Sequence, residues 1–275
     1  MLALSPSLLE KTLEIADQAG DFLTRFYTDS GQNALAIQTK QDNTPVTAVD
    51  LFLSQFLIEK LTALTPEVPI LSEESCKIPL QDRAHWAEYW LIDPLDGTQQ
   101  FINRTDQFSI LITLVQHNQP VLSITHAPIL QTTYYAMQGF GAYRRQGNQQ
   151  EKLNNQARPE QRKIKIAVGV GGVERKIQPL LNPAYQYEFL VYGSSGLKGG
   201  LVADGTCDCY IRVGKTGEWD TGAAEILLRE MGGAVFDFAF QPLSYNQRES
   251  FINPNFVMVA NTEFDWQKIF QFHSH

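Results

Sequence analysis

Two aspartates three residues apart, Asp93 and Asp96, close an apolar stretch in the run Trp90-Leu91-Ile92-Asp93-Pro94-Leu95-Asp96-Gly97-Thr98. Pro94 turns the chain between them, and a glycine and a hydroxyl follow at once. Carboxylates held this close repel one another unless a cation sits between them. All-oxygen clusters suit hard divalent ions, and Mg2+ takes a few carboxylates together with water and substrate phosphate. Three further blocks carry matching groups: Pro45-Val46-Thr47-Ala48-Val49-Asp50, Ser72-Glu73-Glu74-Ser75 and Trp219-Asp220. Turn chemistry by itself explains Pro94 and Gly97. It leaves the two acids, the hydroxyl and the acids elsewhere without a reason, and magnesium-dependent phosphate ester hydrolysis is the chemistry such a set suits.

These groups need elements to hold them. Leu8, Leu9, Leu13, Ile15, Ala16, Ala19, Phe22, Leu23 and Phe26 recur at helical spacing, which predicts a helix from Ser7 to about Tyr27. A second helix is expected from Ala48 to Leu64, stopped before Pro66, with Leu51, Phe52, Gln55, Phe56 and Ile58 on neighbouring faces. The polar segment Lys40 to Pro45 between them reads as a mobile loop. Strand patterns cover Val68 to Leu71, Trp90 to Ile92, Phe108 to Val115, Val121 to His126 and Thr132 to Gln138. Their short connections imply a largely antiparallel sheet. Polar Arg145 to Arg162 is the expected boundary between an N-terminal subdomain, 1–150, and a C-terminal one, 151–275. Beyond it, strands are predicted at Lys163 to Gly169, Tyr185 to Val191, Cys207 to Val213 and Phe256 to Ala260. Helices are predicted within Gly193 to Ala203 and over Thr221 to Met231.

A chain of 275 residues, 43% hydrophobic and 19% charged, is long enough to bury a large core around one cleft. Its net charge of -8 argues against a nucleic acid polymer as partner, because that affinity comes mainly from Lys and Arg on phosphates. A small anion remains compatible where metal ions reverse the local field. Cys76, Cys207 and Cys209 form no CxxC pair and have no histidine at ligand spacing, which suggests a reducing cytoplasm. Cys207 and Cys209, two apart in a strand pattern, are expected to face the same side. There is no signal-peptide pattern at Met1 to Ser7 and no apolar stretch long enough for a membrane span.

The acid-bearing blocks, taken with Phe101 and Thr221, resemble the inositol monophosphatase superfamily of metal-dependent, lithium-sensitive phosphatases, and the match spans most of the chain. Three stretches look most like the bacterial 3'(2'),5'-bisphosphate nucleotidase branch of CysQ type. They are Lys40-x-Asp42-Asn43-Thr44-Pro45-Val46-Thr47, Ser194-Ser195-Gly196-Leu197-Lys198, and the late run from Pro242-Leu243-Ser244-Tyr245 to Arg248-Glu249-Ser250-Phe251-Ile252-Asn253-Pro254.

The resemblance implies an αβαβα layered α/β (α+β) sandwich, with a cytoplasmic role in sulfur metabolism. It implies two, or three, Mg2+ per site. Glu73, Asp93 and the carbonyl of Leu95 would hold one ion; Asp93, Asp96 and Asp220 would hold a second, with Asp93 bridging. Two such ions stabilise the attacking and leaving oxygens of an in-line displacement. Thr98 and Asp50 would orient and deprotonate the attacking water. A threonine hydroxyl accepts a proton only if its own is directed elsewhere, and Asp50 supplies the acceptor. As a first-turn acid Asp50 is equally well explained as a helix cap; Thr47 is the better cap by position and leaves Asp50 for the site. Gly97 and Thr98 would open a short helix with amides toward the phosphate. Ser195, Lys198 and Arg212 would meet the nucleoside and second phosphate, Lys198 as a point charge and Arg212 as a planar fork.

The implied reaction is hydrolysis of adenosine 3',5'-bisphosphate to AMP and phosphate, with its 5'-phosphosulfate analogue (PAPS) as a related substrate. An inositol or sugar monophosphatase with the same site is the alternative. A catalytically silent phosphate-binding protein is the alternative of another class. Two departures from the branch bear on the substrate: Gln99 and Gln100 stand where a lysine and a glutamate are usual, and the turn at Ser194 to Gly200 carries an extra glycine.

Overall fold

The computed structural model describes residues 1–29, 38–39, 45–154, 163–171 and 173–272. Residues 40–44 of the loop expected at Lys40 to Pro45, residues 155–162 of the expected boundary, and His273 and His275 lie outside them. The chain opens with α1 (Pro6–Asp29), then a pair of two-residue antiparallel strands, β1 (Gln38–Thr39) and β2 (Pro45–Val46), and α2 (Ala48–Leu64). A seven-stranded sheet follows: β3 (Ile70–Ser72), β4 (Glu88–Asp96), β5 (Ser109–Gln116), β6 (Gln119–Ala127), β7 (Thr132–Met137), β8 (Gly141–Gln146) and β9 (Gln149–Leu153), paired in chain order. The β3–β4 pair is parallel and the rest are antiparallel. Two short helices, α3 (Leu80–Arg83) and α4 (Thr98–Ile102), flank β4.

The second sheet is built from β10 (Ile164–Val168), β11 (Tyr187–Val191), β12 (Cys209–Arg212), β13 (Ala234–Asp237) and β14 (Phe256–Val259), in the order β11-β10-β12-β14-β13. Between the sheets lie α5 (Ser195–Ala203) and α6 (Trp219–Arg229). One core joins α1 and α2 to the outer face of the first sheet through Leu23, Leu53, Leu57, Trp90 and Ile92. A second fills the space between the sheets with Leu91, Leu197, Tyr210, Ala224 and Leu228. A third covers the far face of the second sheet with Ile177, Leu180, Trp266 and Phe270. The layers run αβαβα. Among the described residues no helix is long and apolar enough to cross a membrane.

The limits of α2 agree with the sequence because its cap is explicit. Thr47 accepts from the amides of Val49 and Asp50, and Asp50 accepts from the amide of Thr47, a reciprocal capping box. Its buried face differs from the expectation. Leu53, Leu57 and Leu61 point into the core, whereas Leu51 and Phe52 are among the most exposed apolar residues. The helix is apolar almost all round, so spacing alone could not choose the face. Phe52 instead packs its ring against Phe22 and Phe26 of α1. Arg145 to Leu153, expected to be structure-poor, forms the outer hairpin of the first sheet; it is polar because Gln149 to Lys152 of the edge strand are exposed. The cysteines also depart from expectation. Cys207 precedes β12 and packs in the core between the sheets, while Cys209 on the strand points into the far-face core.

Candidate active site

β4 runs between two cores, so its side chains alternate: Tyr89 and Leu91 face α5 and α6, while Trp90 and Ile92 face α1 and α2. Asp93 continues the first series. In an unbroken strand Asp96, three residues on, would point the opposite way. The register shows why it does not: Asp93 lies opposite Leu111 and Asp96 opposite Ser109, so three steps on β4 match two on β5. This bulge, at Pro94-Leu95, turns Asp96 back to the face of Asp93. Gly97 then adopts φ +95, a left-handed conformation that glycine takes without steric cost, and α4 starts at Thr98.

Asp220 completes the cluster from the other side. It was expected just before a helix; it is the second residue of α6, and its Oδ2 accepts from the amide of Gly217 at 2.6 Å. One carboxylate oxygen of each of Asp93, Asp96 and Asp220 lies within 4.8 Å of the others. Glu73, in the turn after β3, lines the same cavity and hydrogen-bonds Asp93. Burial pushes the Asp93 carboxyl well above the ordinary carboxylate range, and Glu73, Asp96 and Asp220 push it further. Asp220 is raised to about 8, first by burial and then by Asp96 and Glu73, with the Gly217 amide and Arg212 opposing. So much buried negative charge fits a hard divalent cation coordinated by oxygen.

Asp50 is fully interior and Thr98 lines the cavity. The Thr98 hydroxyl donates to Asp50 Oδ1 at 2.9 Å, with the Leu95 carbonyl a longer alternative at 3.2 Å. Asp50 Oδ2 accepts from the Thr47 amide at 2.7 Å and from its hydroxyl at 2.6 Å. Cap and site partner are therefore both served, one carboxylate oxygen each.

Asp96 is also anchored to the start of α5. Its Oδ1 accepts from the Ser195 amide at 3.0 Å and its Oδ2 from the Gly196 amide at 2.7 Å and from the Ser194 hydroxyl. The extra glycine has a reason here, since a Cβ at Gly196 would stand 2.3 Å from Leu111 Cδ2. Ser194, whose hydroxyl binds both Asp96 and Ser109, is tied in more firmly than Ser195, whose hydroxyl only reaches Tyr210 at 3.4 Å.

Lys198 lines the cavity as well. Its side chain is 3% exposed and donates to the carbonyls of Tyr192, Gly193 and Ser194 at 3.2, 2.7 and 2.7 Å. Its ammonium also sits 4.9 Å from the Tyr210 ring. Burial draws its pKa down to about 8. Arg212 does line the cavity, with one Nη donating to the Lys215 carbonyl at 3.0 Å.

The cavity, about 500 Å³, is lined by the acids together with Gly97, Gln99, Gln100, Arg212 and Lys215. Its wall includes residues that the sequence reading passed over: Tyr192, Lys215, Thr216, Trp219 and Ile252. The Thr216 hydroxyl is buried on this wall with no protein partner among the described residues. Its place four residues before Asp220 was the signal available for it.

The Inositol monophosphatase family model matches residues 7–267. The chain is 58% identical over 270 residues to the 3'(2'),5'-bisphosphate nucleotidase CysQ of Aggregatibacter actinomycetemcomitans, covering 98% of this chain and 99% of that protein. It is 57% identical over 272 residues to the protein of that name from Haemophilus influenzae, covering 99% and 100%. Among solved structures, CysQ from Bacteroides thetaiotaomicron, a bacterial member of the inositol monophosphatase family, superimposes with a TM-score of 0.75 at 31% identity. That match covers 92% of this chain and 97% of the other.

Proposed function

The chain belongs to the inositol monophosphatase family, and on that premise we propose that it is a Mg2+-dependent phosphomonoesterase that hydrolyses adenosine 3',5'-bisphosphate to AMP and phosphate. The reaction class rests on one observation: the buried carboxylates of Asp93 and Asp96 and the half-buried one of Asp220 converge within 4.8 Å on a cavity wall that also carries Thr98. The substrate rests on near-full-length identity of 57–58% to proteins named for that activity. PAPS, which keeps the 3'-phosphate, is a second substrate in the same reading.

Glu73, Asp93 and the Leu95 carbonyl would hold one Mg2+ and Asp93, Asp96 and Asp220 a second; a count of two, or three, ions per site belongs to this reading. When bound, these ions supply Lewis-acid stabilisation of the attacking and leaving oxygens. The chain's own part is positioning and proton transfer. Because Thr98 gives its proton to Asp50, its oxygen keeps lone pairs for a water in the cavity. That water attacks phosphorus opposite the ribose O3', its proton passes toward Thr98 and Asp50, the P–O3' bond breaks, and O3' takes up a proton to complete AMP.

Gly97 and Thr98 border the phosphate position. Arg212, a cation on the cavity wall together with Lys215, suits the second phosphate. Ser195 contributes mainly through its amide, and Lys198 acts by fixing the loop before α5. The cleft lies between an N-terminal subdomain that runs to the end of β9 at Leu153 and a C-terminal one beyond it. A cytoplasmic location belongs to the same reading, supported by three free thiols. The test is conversion of adenosine 3',5'-bisphosphate with Mg2+ and with a chelator. AMP and one phosphate with Mg2+, and neither with the chelator, is the expected result; inertness with Mg2+ rejects the proposal.

A further inference from the structure

We infer that Arg83 is a positioning residue: it straps the segment that follows Glu73 to the loop that carries Asp220's supports, and so sets these two metal-binding carboxylates across the cleft from one another. This rests on the metal-site reading above, and not on the identity of the substrate.

Arg83 ends α3 and is fully buried, yet among the described residues no carboxylate bonds its guanidinium. Burying a charge costs free energy unless its donors are satisfied, and an apolar side chain is often the cheaper occupant. What the charge provides here is direction. Nε donates to the Ile78 carbonyl at 2.9 Å. One Nη donates to Asn246 Oδ1 at 2.6 Å, and the other to the carbonyls of Arg248 and Glu249, both at 2.8 Å. Asn246 answers by donating to the Arg83 carbonyl at 2.7 Å. The guanidinium carbon sits 3.9 Å from the Phe251 ring centroid. One side chain thus binds backbone at 78 on the near side and at 248 and 249 on the far side.

The far side leads directly to Asp220. The Asn246 amide donates to Glu218 Oε2 at 2.9 Å, and Arg248 reaches Glu218 Oε1 at 3.3 Å. The Glu218 amide donates to the Phe251 carbonyl at 2.9 Å and the Asn253 amide to the Thr216 carbonyl at 2.8 Å. The Asn253 side chain donates to the Gly217 carbonyl at 2.7 Å, and the Gly217 amide in turn holds Asp220 Oδ2. The near side leads to Glu73, five residues before Ile78 in an otherwise short connection. Asp93 and Asp96 share one strand and need no such strap; Glu73 and Asp220 are 147 positions apart in the chain and do. The late motif, from Pro242 to Pro254, gains its purpose from this role.

The test uses Asn246→Gly and Arg83→Met in the full chain. Asn246 has φ +56, which glycine accepts, so the first variant removes both side-chain bonds to Arg83 without backbone strain and serves if the buried arginine variant fails to fold. Mn2+ binding is followed by electron paramagnetic resonance and calorimetry, with apo-protein melting and the Mg2+ dependence of activity alongside. The expected result is a loss of about tenfold in Mn2+ affinity, at the low end for groups that orient metal ligands. The Mg2+ needed for half-maximal rate should rise in parallel, with KM at saturating Mg2+ nearly unchanged. Unchanged Mn2+ affinity with a lower melting temperature makes the strap merely structural and overturns the inference. A wild type that binds Mn2+ but ignores adenosine 3',5'-bisphosphate rejects the substrate reading while the variants still decide this one. A wild type that binds no Mn2+ overturns both.

Discussion

Thr98 Oγ1 donates a 2.9 Å hydrogen bond to Asp50 Oδ1, joining the first turn of α4 to the first turn of α2 across 48 positions of sequence. The bond fixes which way the threonine proton points, and hence which way its lone pairs point. Thr98→Val should therefore keep metal binding and lose about 10²- to 10⁴-fold in kcat, the range for a positioned proton-transfer group. Asp50→Asn should lose similar activity and also about 1 kcal/mol of stability, because its second oxygen closes the cap of α2. Parallel calorimetric titrations and turnover measurements separate the two; loss of metal affinity in Thr98→Val would move that residue from proton transfer to ligation.

Burial raises the Asp93 carboxyl first, and its three acid neighbours Glu73, Asp96 and Asp220 raise it further. Asp93→Asn should abolish activity and the rise in melting temperature that Mg2+ gives the wild type, while the fold survives. Near-normal turnover in the purified variant would contradict the shared-ligand assignment.

Lys198 and Arg212 should behave differently, although both are cations on the cavity wall. Lys198→Met removes three bonds that hold the Tyr192 to Ser194 loop, so kcat/KM should fall for every substrate alike. Arg212→Ala should raise KM for adenosine 3',5'-bisphosphate by one to two decades, since a lost charged contact is worth roughly 1.5 to 3 kcal/mol. The same change should leave adenosine 3'-monophosphate, which has no second phosphate, nearly unaffected. Equal losses on both substrates would remove Arg212 from the second phosphate.

His126 carries a pH dependence independent of the site. Buried beneath α1 and bonded to Thr133 at 2.9 Å, it is held down to about 4 by burial, with Arg145 aiding and Asp17 and Asp21 opposing. An unfolded histidine titrates near about 6.5. From about pH 6.5 down to about pH 4, the unfolded chain takes up a proton that the native chain refuses, so stability falls as pH falls, by up to about 3 kcal/mol. His126→Gln should lack this slope. Urea unfolding at several pH values checks it, and parallel curves for wild type and variant would refute it.

The layered fold was legible where the local signals were complete. Thr47 and Asp50 mark the start of α2, and the two acids after Tyr89 to Ile92 mark the end of β4. The bulge at Pro94-Leu95, which brings those acids to one face, depends on pairing with β5 and has no local signal. The inward turn of Lys198 had no local signal for a related reason. The glycines around it admit protein: a Cβ at Gly199 would meet Ala224 at 2.6 Å, and one at Gly200 would meet the Tyr134 ring at 2.3 Å. Whether a lysine is turned inward is settled by the carbonyls that the fold brings to it, and the chain does not spell those out in order. Arg83 went unnoticed because its partners on the far side, Asn246, Arg248 and Glu249, lie more than 160 positions away.

The central claim is that this metal-binding cavity serves a nucleoside bisphosphate. It is tested most directly by kcat/KM of the purified wild type, with saturating Mg2+, on adenosine 3',5'-bisphosphate and on inositol 1-phosphate. The account predicts a preference for the nucleotide of at least about tenfold, the return on one well-placed charged contact at the second phosphate. Equal values, or a preference for inositol 1-phosphate, would contradict it.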